Sequence, residues 1–140
     1  MKHAILAAAA LVLAALPSPA RAHGPDGHRE TSTRIFQHDL PNVPGKEMVA
    51  VEVVYPPGAA SPPHTHPQSG FIYAYVVSGA VVSAVGDEAP RVYKAGEGWH
   101  ELPGARHRVS RNASDSEPAK LLAVFVLDAA ERQLVLPDAQ

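Results

Sequence analysis

Cysteine is absent from the 140 residues. That excludes disulfides, thiolate metal sites and cysteine nucleophiles together. Any metal must be held by His, Asp or Glu, with help from Gln, carbonyls or water. A charge imbalance is also lacking: the formal net charge is -2 with His neutral, so there is no electrostatic case for nucleic acid or an anionic membrane surface as partner. The chain shows no charge block, no repeat at a solenoid period, no phosphate loop and no hydrolase triad assembled from local motifs. Helical periodicity is weak after the first twenty residues.

What the chain has instead is punctuation and histidine. There are 14 prolines, 10 glycines and 8 histidines, and the length suits one domain. Many turns and short strands fit this better than a helix bundle. The 46% apolar content supports a packed core once the amino terminus is discounted.

That terminus, MKHAILAAAALVLAALPSPARAHG, reads as an address. Lys2 precedes an apolar run from Ala4 to Leu16, then Pro17, Pro19 and Ala20-Arg21-Ala22. This is the three-part pattern of a secretory signal peptide. The run is short of the roughly 20 residues that span a bilayer. Cleavage is expected after Ala22, giving a periplasmic or secreted protein with no membrane attachment. The expected division is a signal peptide over 1–22, an amino-terminal arm and first strand over 23–45, a barrel over 46–128 and a tail over 129–140.

From Ser32 onward the texture is uniform. KEMVAVEVVYPPG alternates and is rich in β-branched residues, which predicts a strand. FIYAYVVSGAVVSAVGDE predicts two strands around Ser78-Gly79. PAKLLAVFVLD is an apolar run of strand length, and AAERQLVLPDAQ reads as one helical turn or a last edge strand. Short strands with frequent turns predict an all-β fold, a small antiparallel β-barrel with room for one small ligand.

The histidines stand at informative places. PPHTHPQSG puts His64 and His66 two apart behind two prolines, and residues i and i+2 of a strand point the same way. His107 lies in GEGWHELPGARHRVSRN, next to a turn and able to meet them from a neighbouring strand. Three converging imidazoles with open positions form a ligand set for one divalent transition metal: iron, manganese, nickel, copper or zinc.

The spacing resembles the two motifs of a single-domain cupin. Gly58, His64, His66 and Gly79 follow the first, with one or two extra residues before the last glycine. Gly96, Gly104 and His107 follow the second. Leu102 stands where proline is usual and Asn112 arrives one residue late. The resemblance implies a double-stranded β-helix, jelly-roll-like, a three-histidine metal site and a homodimer. KLLAVFVLD and RQLVLPD would offer apolar edges to a second copy. The family's usual glutamate is missing, since Gln68, Ser69, Gly70 and Phe71 occupy its neighbourhood.

Two residues compete for the missing carboxylate's place. Gln68 offers a weak oxygen ligand. Glu101 shares a strand face with Trp99; if that face lines the barrel, Glu101 is a ligand, a support to one or a general base, and if His100 faces inward instead, Glu101 is solvated. In the strand after His66, Phe71, Tyr73, Tyr75 and Val77 share one face and Ile72, Ala74 and Val76 the other. The tyrosine face is expected to line the cavity, because a phenol suits a partly wet pocket, so Tyr73, Tyr75 and Trp99 are the expected substrate-pocket residues. Arg106 beside His107 is either solvated or guards the mouth. The expected function is metal-dependent chemistry on a small organic molecule, anionic or chelating. Dioxygenase-like oxygenation leads, and isomerisation or decarboxylation comes second. The rival is a non-catalytic binding or sensing module.

Overall fold

The computed structural model describes residues 29–138. The signal peptide expected over 1–22 and most of the arm after it lie outside the described residues. Eleven strands are present: β1 (Thr31–Asp39), β2 (Lys46–Tyr55), β3 (Ala60–Ser61), β4 (His64–Thr65), β5 (Phe71–Ser78), β6 (Ala80–Val85), β7 (Arg91–Lys94), β8 (Gly98–Glu101), β9 (Arg106–Asn112), β10 (Ala119–Asp128) and β11 (Leu136–Pro137). No helix occurs among the described residues, so the fold is all-β. The strands form two antiparallel sheets, in the orders β1-β2-β10-β5-β8 and β11-β4-β9-β6-β7, with β3 also on β9.

Alternation builds the core. Val49, Val51, Val53 and Tyr55 of β2 point inward, as do Leu121, Ala123, Phe125 and Leu127 of β10. Val81 and Tyr93 meet them from the opposite sheet in one apolar cluster. The two strands around Ser78-Gly79 both form, yet they do not pair with each other: β5 belongs to one sheet and β6 to the other. Gly79 makes this crossing possible. Its φ is +69°, and a Cβ there would sit 2.6 Å from the Pro118 carbonyl oxygen, so only glycine fits without strain.

A second set of hydrogen bonds, lining the same interior, pins the barrel. The Tyr55 hydroxyl lies 2.7 Å from Ser110 Oγ and 2.9 Å from Ser61 Oγ, linking the sheets. Asn112 Nδ2 donates to the carbonyls of Tyr55, Pro56 and Glu117, while its Oδ1 accepts from the Ser114 amide.

One expectation about assembly is revised, and the tail takes the edge-strand alternative. β10 is the central strand of its sheet, paired on both sides by β2 and β5, so KLLAVFVLD offers no free edge. The tail ends in the short strand β11, which pairs with β4.

Candidate metal centre and cavity

The site is assembled by β4, β8 and β9. His64 stands directly opposite His107 in the β4–β9 ladder. The chain then holds its line for one more residue through the His66 amide, which donates to the Ala105 carbonyl at 3.0 Å. Pro62, Pro63 and Pro67 frame this stretch and prevent a longer strand.

β9 carries an irregularity that sequence reasoning missed. Its register with β6 shifts between Ala84 and Val85, and Arg108 is left without a partner. This bulge inserts one residue and reverses the facing of the residues beyond it. His107 and Ser110 therefore both point inward, as does Asn112. The late arrival of Asn112 after His107 is absorbed by this extra residue. Arg108 itself turns outward, and its guanidinium donates to the carbonyls of Gly86 and Glu88.

The three histidines come together. One nitrogen from each of His64, His66 and His107 lies within 4.8 Å of the others. The carbonyls around them fix two tautomers. His64 Nδ1 donates to the Pro62 carbonyl and His66 Nδ1 to the Leu134 carbonyl, each at 2.8 Å. Carbonyls only accept, so Nε2 keeps the lone pair in each neutral ring. His107 Nε2 lies 2.9 Å from Ser83 Oγ, a hydroxyl able to donate or accept. Ser83 and Leu134 had no signal in the sequence.

Glu101 sits inside, almost fully buried on β8, with His100 outside. Its Oε1 accepts from the Trp99 indole at 3.1 Å and lies 3.3 Å from His107 Nδ1. Its Oε2 lies 3.2 Å from His66 Nε2 yet has no directed hydrogen bond. Trp99 is buried beside Tyr93 and supports Glu101; it does not line the cavity.

Electrostatics set the protonation states. Burial pushes the His107 pKa down to about 4, outweighing the Glu101 charge. Burial also lowers His64 below the usual imidazole value despite the Pro62 carbonyl. For His66 burial acts downward too, but its contact with Glu101 and that residue's charge outweigh it, and the pKa is raised. Burial would raise the Glu101 carboxyl; the imidazoles of His66 and His107 reverse this and hold it below the ordinary carboxylate range. At neutral pH His64 and His107 are therefore neutral, as metal ligation requires.

Above the site lies a cavity of about 730 Å³. The five-stranded sheet supplies an apolar wall that includes Val51, Ile72, Ala74, Leu121 and Phe125, while the histidines and Glu101 form its polar end. Ser32 and Arg34 of β1 also line it, with Arg29 and Glu30 just before that strand. The alternation Ser32-Arg34 in TSTRIFQHD was the only signal for this contribution.

Two expectations are corrected by these positions, and the solvated alternative for Arg106 is met. Tyr73 and Tyr75 point away from the cavity into solvent, with Ile72 and Ala74 taking the inner side; the smaller side chains fit the narrow interior opposite Trp99 and Glu101. Gln68 is exposed and lies over Gly104, outside the cavity, so it is not placed to ligate. Arg106 is also outside; its guanidinium is bound to Asp138 at 2.6 and 2.9 Å.

Residues 51–125 match the family model of the cupin domain. This is just over half of the chain, which therefore belongs to the cupin domain family. No curated protein matches the chain. Among solved structures, the TT1209 protein of Thermus thermophilus is 27% identical, with 71% of this chain and 84% of that one covered at a TM-score of 0.57. An uncharacterized conserved protein with a double-stranded β-helix domain from Klebsiella pneumoniae is 22% identical, covering 80% and 89% at 0.61. The DMSP lyase of Ruegeria pomeroyi is 24% identical over 66% of this chain and 45% of the lyase, at 0.54. These likenesses establish the double-stranded β-helix.

His64, His66 and His107 fit a single metal site. Three imidazoles converge, and the buried Glu101 carboxylate stands beside them with its Oε2 3.2 Å from His66 Nε2 but in no directed hydrogen bond. A buried carboxylate needs a cation or proton nearby, which a protonated His66 or a bound metal supplies.

Proposed function

We propose that this cupin is an exported metalloenzyme acting on a small anionic molecule. The observation that carries the reading is the convergence of His64, His66 and His107 beside the buried Glu101 carboxylate at the end of an apolar cavity. His64, His66 and His107 would hold one divalent transition metal, which supplies Lewis acidity and open coordination positions when bound. Oxygenation is the leading reaction, with isomerisation or decarboxylation second. Three neutral imidazoles and the one carboxylate of Glu101 leave a divalent metal net positive, and Arg34 and Arg29 outnumber Glu30 in the rest of the cavity lining. This balance favours a carboxylate, enolate or catecholate over a neutral analogue.

The protein's own groups have definable roles. The apolar wall binds the body of the substrate and excludes water. Glu101 takes the position left open by the glutamate missing from the first motif, supplied by β8 instead of the segment after His66. The carboxylate is ionised at neutral pH, and its Oε2 is the oxygen that could accept a substrate proton there, against the lowered proton affinity that His66 and His107 impose. The Trp99 indole donates to the other oxygen and fixes the carboxylate plane. Export rests on Lys2, the Ala4–Leu16 run and Ala20-Arg21-Ala22.

The test is metal analysis of untagged protein after reconstitution, then oxygen uptake with candidate acids. One metal per chain with turnover supports the reading. Metal without turnover on any acid favours the binding or sensing module, and no metal after reconstitution removes both.

A further inference from the structure

β1 carries a bulge that the metal centre does not use. Its register with β2 shifts between Arg34 and Phe36, so Ile35 has no partner in the ladder. In an unbroken strand, residues three apart point to opposite faces. The extra residue puts Arg34 and Gln37 on the same one. Arg34 stands opposite Val51 and Gln37 opposite Val49, both on the inward side of β2. Bulges re-aim side chains in this way and are frequent beside functional sites. Here the edge strand of the sheet acquires a polar inner side, and its Ser32 and Arg34 line the cavity.

Arg34 is held in a defined orientation. Glu47 is buried, and its Oε2 accepts from Gln37 Nε2 at 2.7 Å. A carboxylate only accepts, so the Gln37 amide turns its nitrogen to Glu47 and its oxygen the other way. That oxygen accepts from Arg34 Nη1 at 2.6 Å. The other edge of the guanidinium, Nε and Nη2, meets no acceptor among the described residues. This edge is the fork that binds a carboxylate with two N–H groups. Arg106 uses the same pair of nitrogens on Asp138; in Arg34 the pair is left for something outside the chain.

The histidine end lies at the opposite edge of the same inner face. Arg34, Val51, Ala123, Ala74 and Trp99 are successive cross-strand partners, and Glu101 ends the neighbouring row, which begins at Gln37. Four strand spacings put the backbones of Arg34 and Trp99 roughly 19 Å apart along the sheet, with apolar side chains between them. We propose that Arg34 is the specificity-determining residue of this cavity. Its Nε–Nη2 edge binds the carboxylate of an elongated organic acid, whose apolar body lies along the wall toward the histidines. Gln37 and Glu47 are positioning residues that act through Arg34. The proposal rests on the reading that an acid enters this cavity, and it does not require the metal.

Isothermal titration of metal-free protein tests this, with hydrocinnamate and its neutral counterpart hydrocinnamamide as probes. Wild type should bind the acid at least about 10-fold more tightly than the amide. Arg34→Gln should remove that preference. Arg34→Lys keeps the charge without the fork and should restore only part of it. Gln37→Leu should reduce the preference about 3-fold and leave amide binding unchanged, whereas a merely structural role would weaken both probes alike. Cobalt(II) uptake by these variants should equal that of the wild type, so loss of acid selection and loss of the metal site are read separately. Heteronuclear NMR on the wild type decides the matter should Arg34→Gln fail to fold: the Arg34 Nε–H signal should shift with the acid and not with the amide. No preference for the acid in wild type, a preference that persists in Arg34→Gln or is lost in Arg29→Gln alone, or an Arg34 signal blind to the acid overturns the proposal.

Discussion

Two polar clusters are buried between the same sheets, and they are finished differently. In the first, Tyr55, Ser61, Ser110 and Asn112 satisfy one another and the surrounding backbone. In the second, His64, His66, His107 and Glu101 crowd together, and Glu101 Oε2 meets His66 Nε2 at 3.2 Å without a directed hydrogen bond. The other orphaned buried side-chain atom among the described residues is Glu30 Oε2, and Glu30 lines the same cavity. A satisfied cluster stabilises the barrel. An unsatisfied one marks the place where something else is meant to bind, because a buried polar atom without a partner costs free energy that folding alone does not return.

The largest expected effect falls on the second cluster. His107→Ala should abolish retention of cobalt(II) through dialysis, while the fold persists by circular dichroism. Retention of one full equivalent would remove His107 from the ligand set. In the first cluster, Asn112→Ala deletes three donated bonds and one accepted bond, and should cost roughly 3 kcal/mol in urea unfolding. Metal affinity measured below the new midpoint should be unchanged. A variant that unfolds normally but loses its metal would erase the distinction between the clusters.

Acid should act mainly through the second cluster. The His107 pKa is lowered from 6.5 to about 4 by burial, so the unfolded chain binds more protons between those values. Stability from this group is present near neutrality and is lost as pH falls from 6.5 toward 4, by about 2–3 kcal/mol. His66 acts in the opposite direction: its raised pKa adds stability below 6.5, which disappears as pH rises through the folded value. Urea unfolding of metal-free protein at about pH 7 and about pH 4.5 should therefore show a steeper loss for wild type than for His107→Gln. Equal slopes would mean that His107 is not held neutral by burial.

Smaller changes sharpen the contrast. Glu101→Gln keeps the shape, removes the charge and should weaken metal binding about 10–100-fold, with the fold intact. Tyr55→Phe leaves Ser61 and Ser110 beside a ring without its hydroxyl, and should cost about 1 kcal/mol with no change in metal affinity.

How much of this was legible in the sequence depends on whether the local pattern had a polar side. His64 and His66 stand between prolines, and His107 comes after a glycine turn, so their convergence could be read from strand geometry. Trp99 and Glu101 alternate with His100, which left two choices that burial decides. β5 offered no such guide. Both of its faces are apolar, and the aromatic one turned out to be the outer one. The same ambiguity hid the exposed outer face of this sheet, and the apolar run of β10 reads equally as an edge or as the central strand that it is. The bulge at Arg108 had only the displaced Asn112 as its trace. The contacts of Ser83 and of the Leu134 carbonyl depend on long-range register, which no local pattern carries.

The central claim is most directly tested by a crystal structure of metal-reconstituted protein, with the element identified by anomalous scattering. One ion coordinated by nitrogens of His64, His66 and His107, with Glu101 turned toward it or its bound ligand, is the predicted result. An ion held elsewhere, or the three imidazoles left without one after reconstitution, would contradict it.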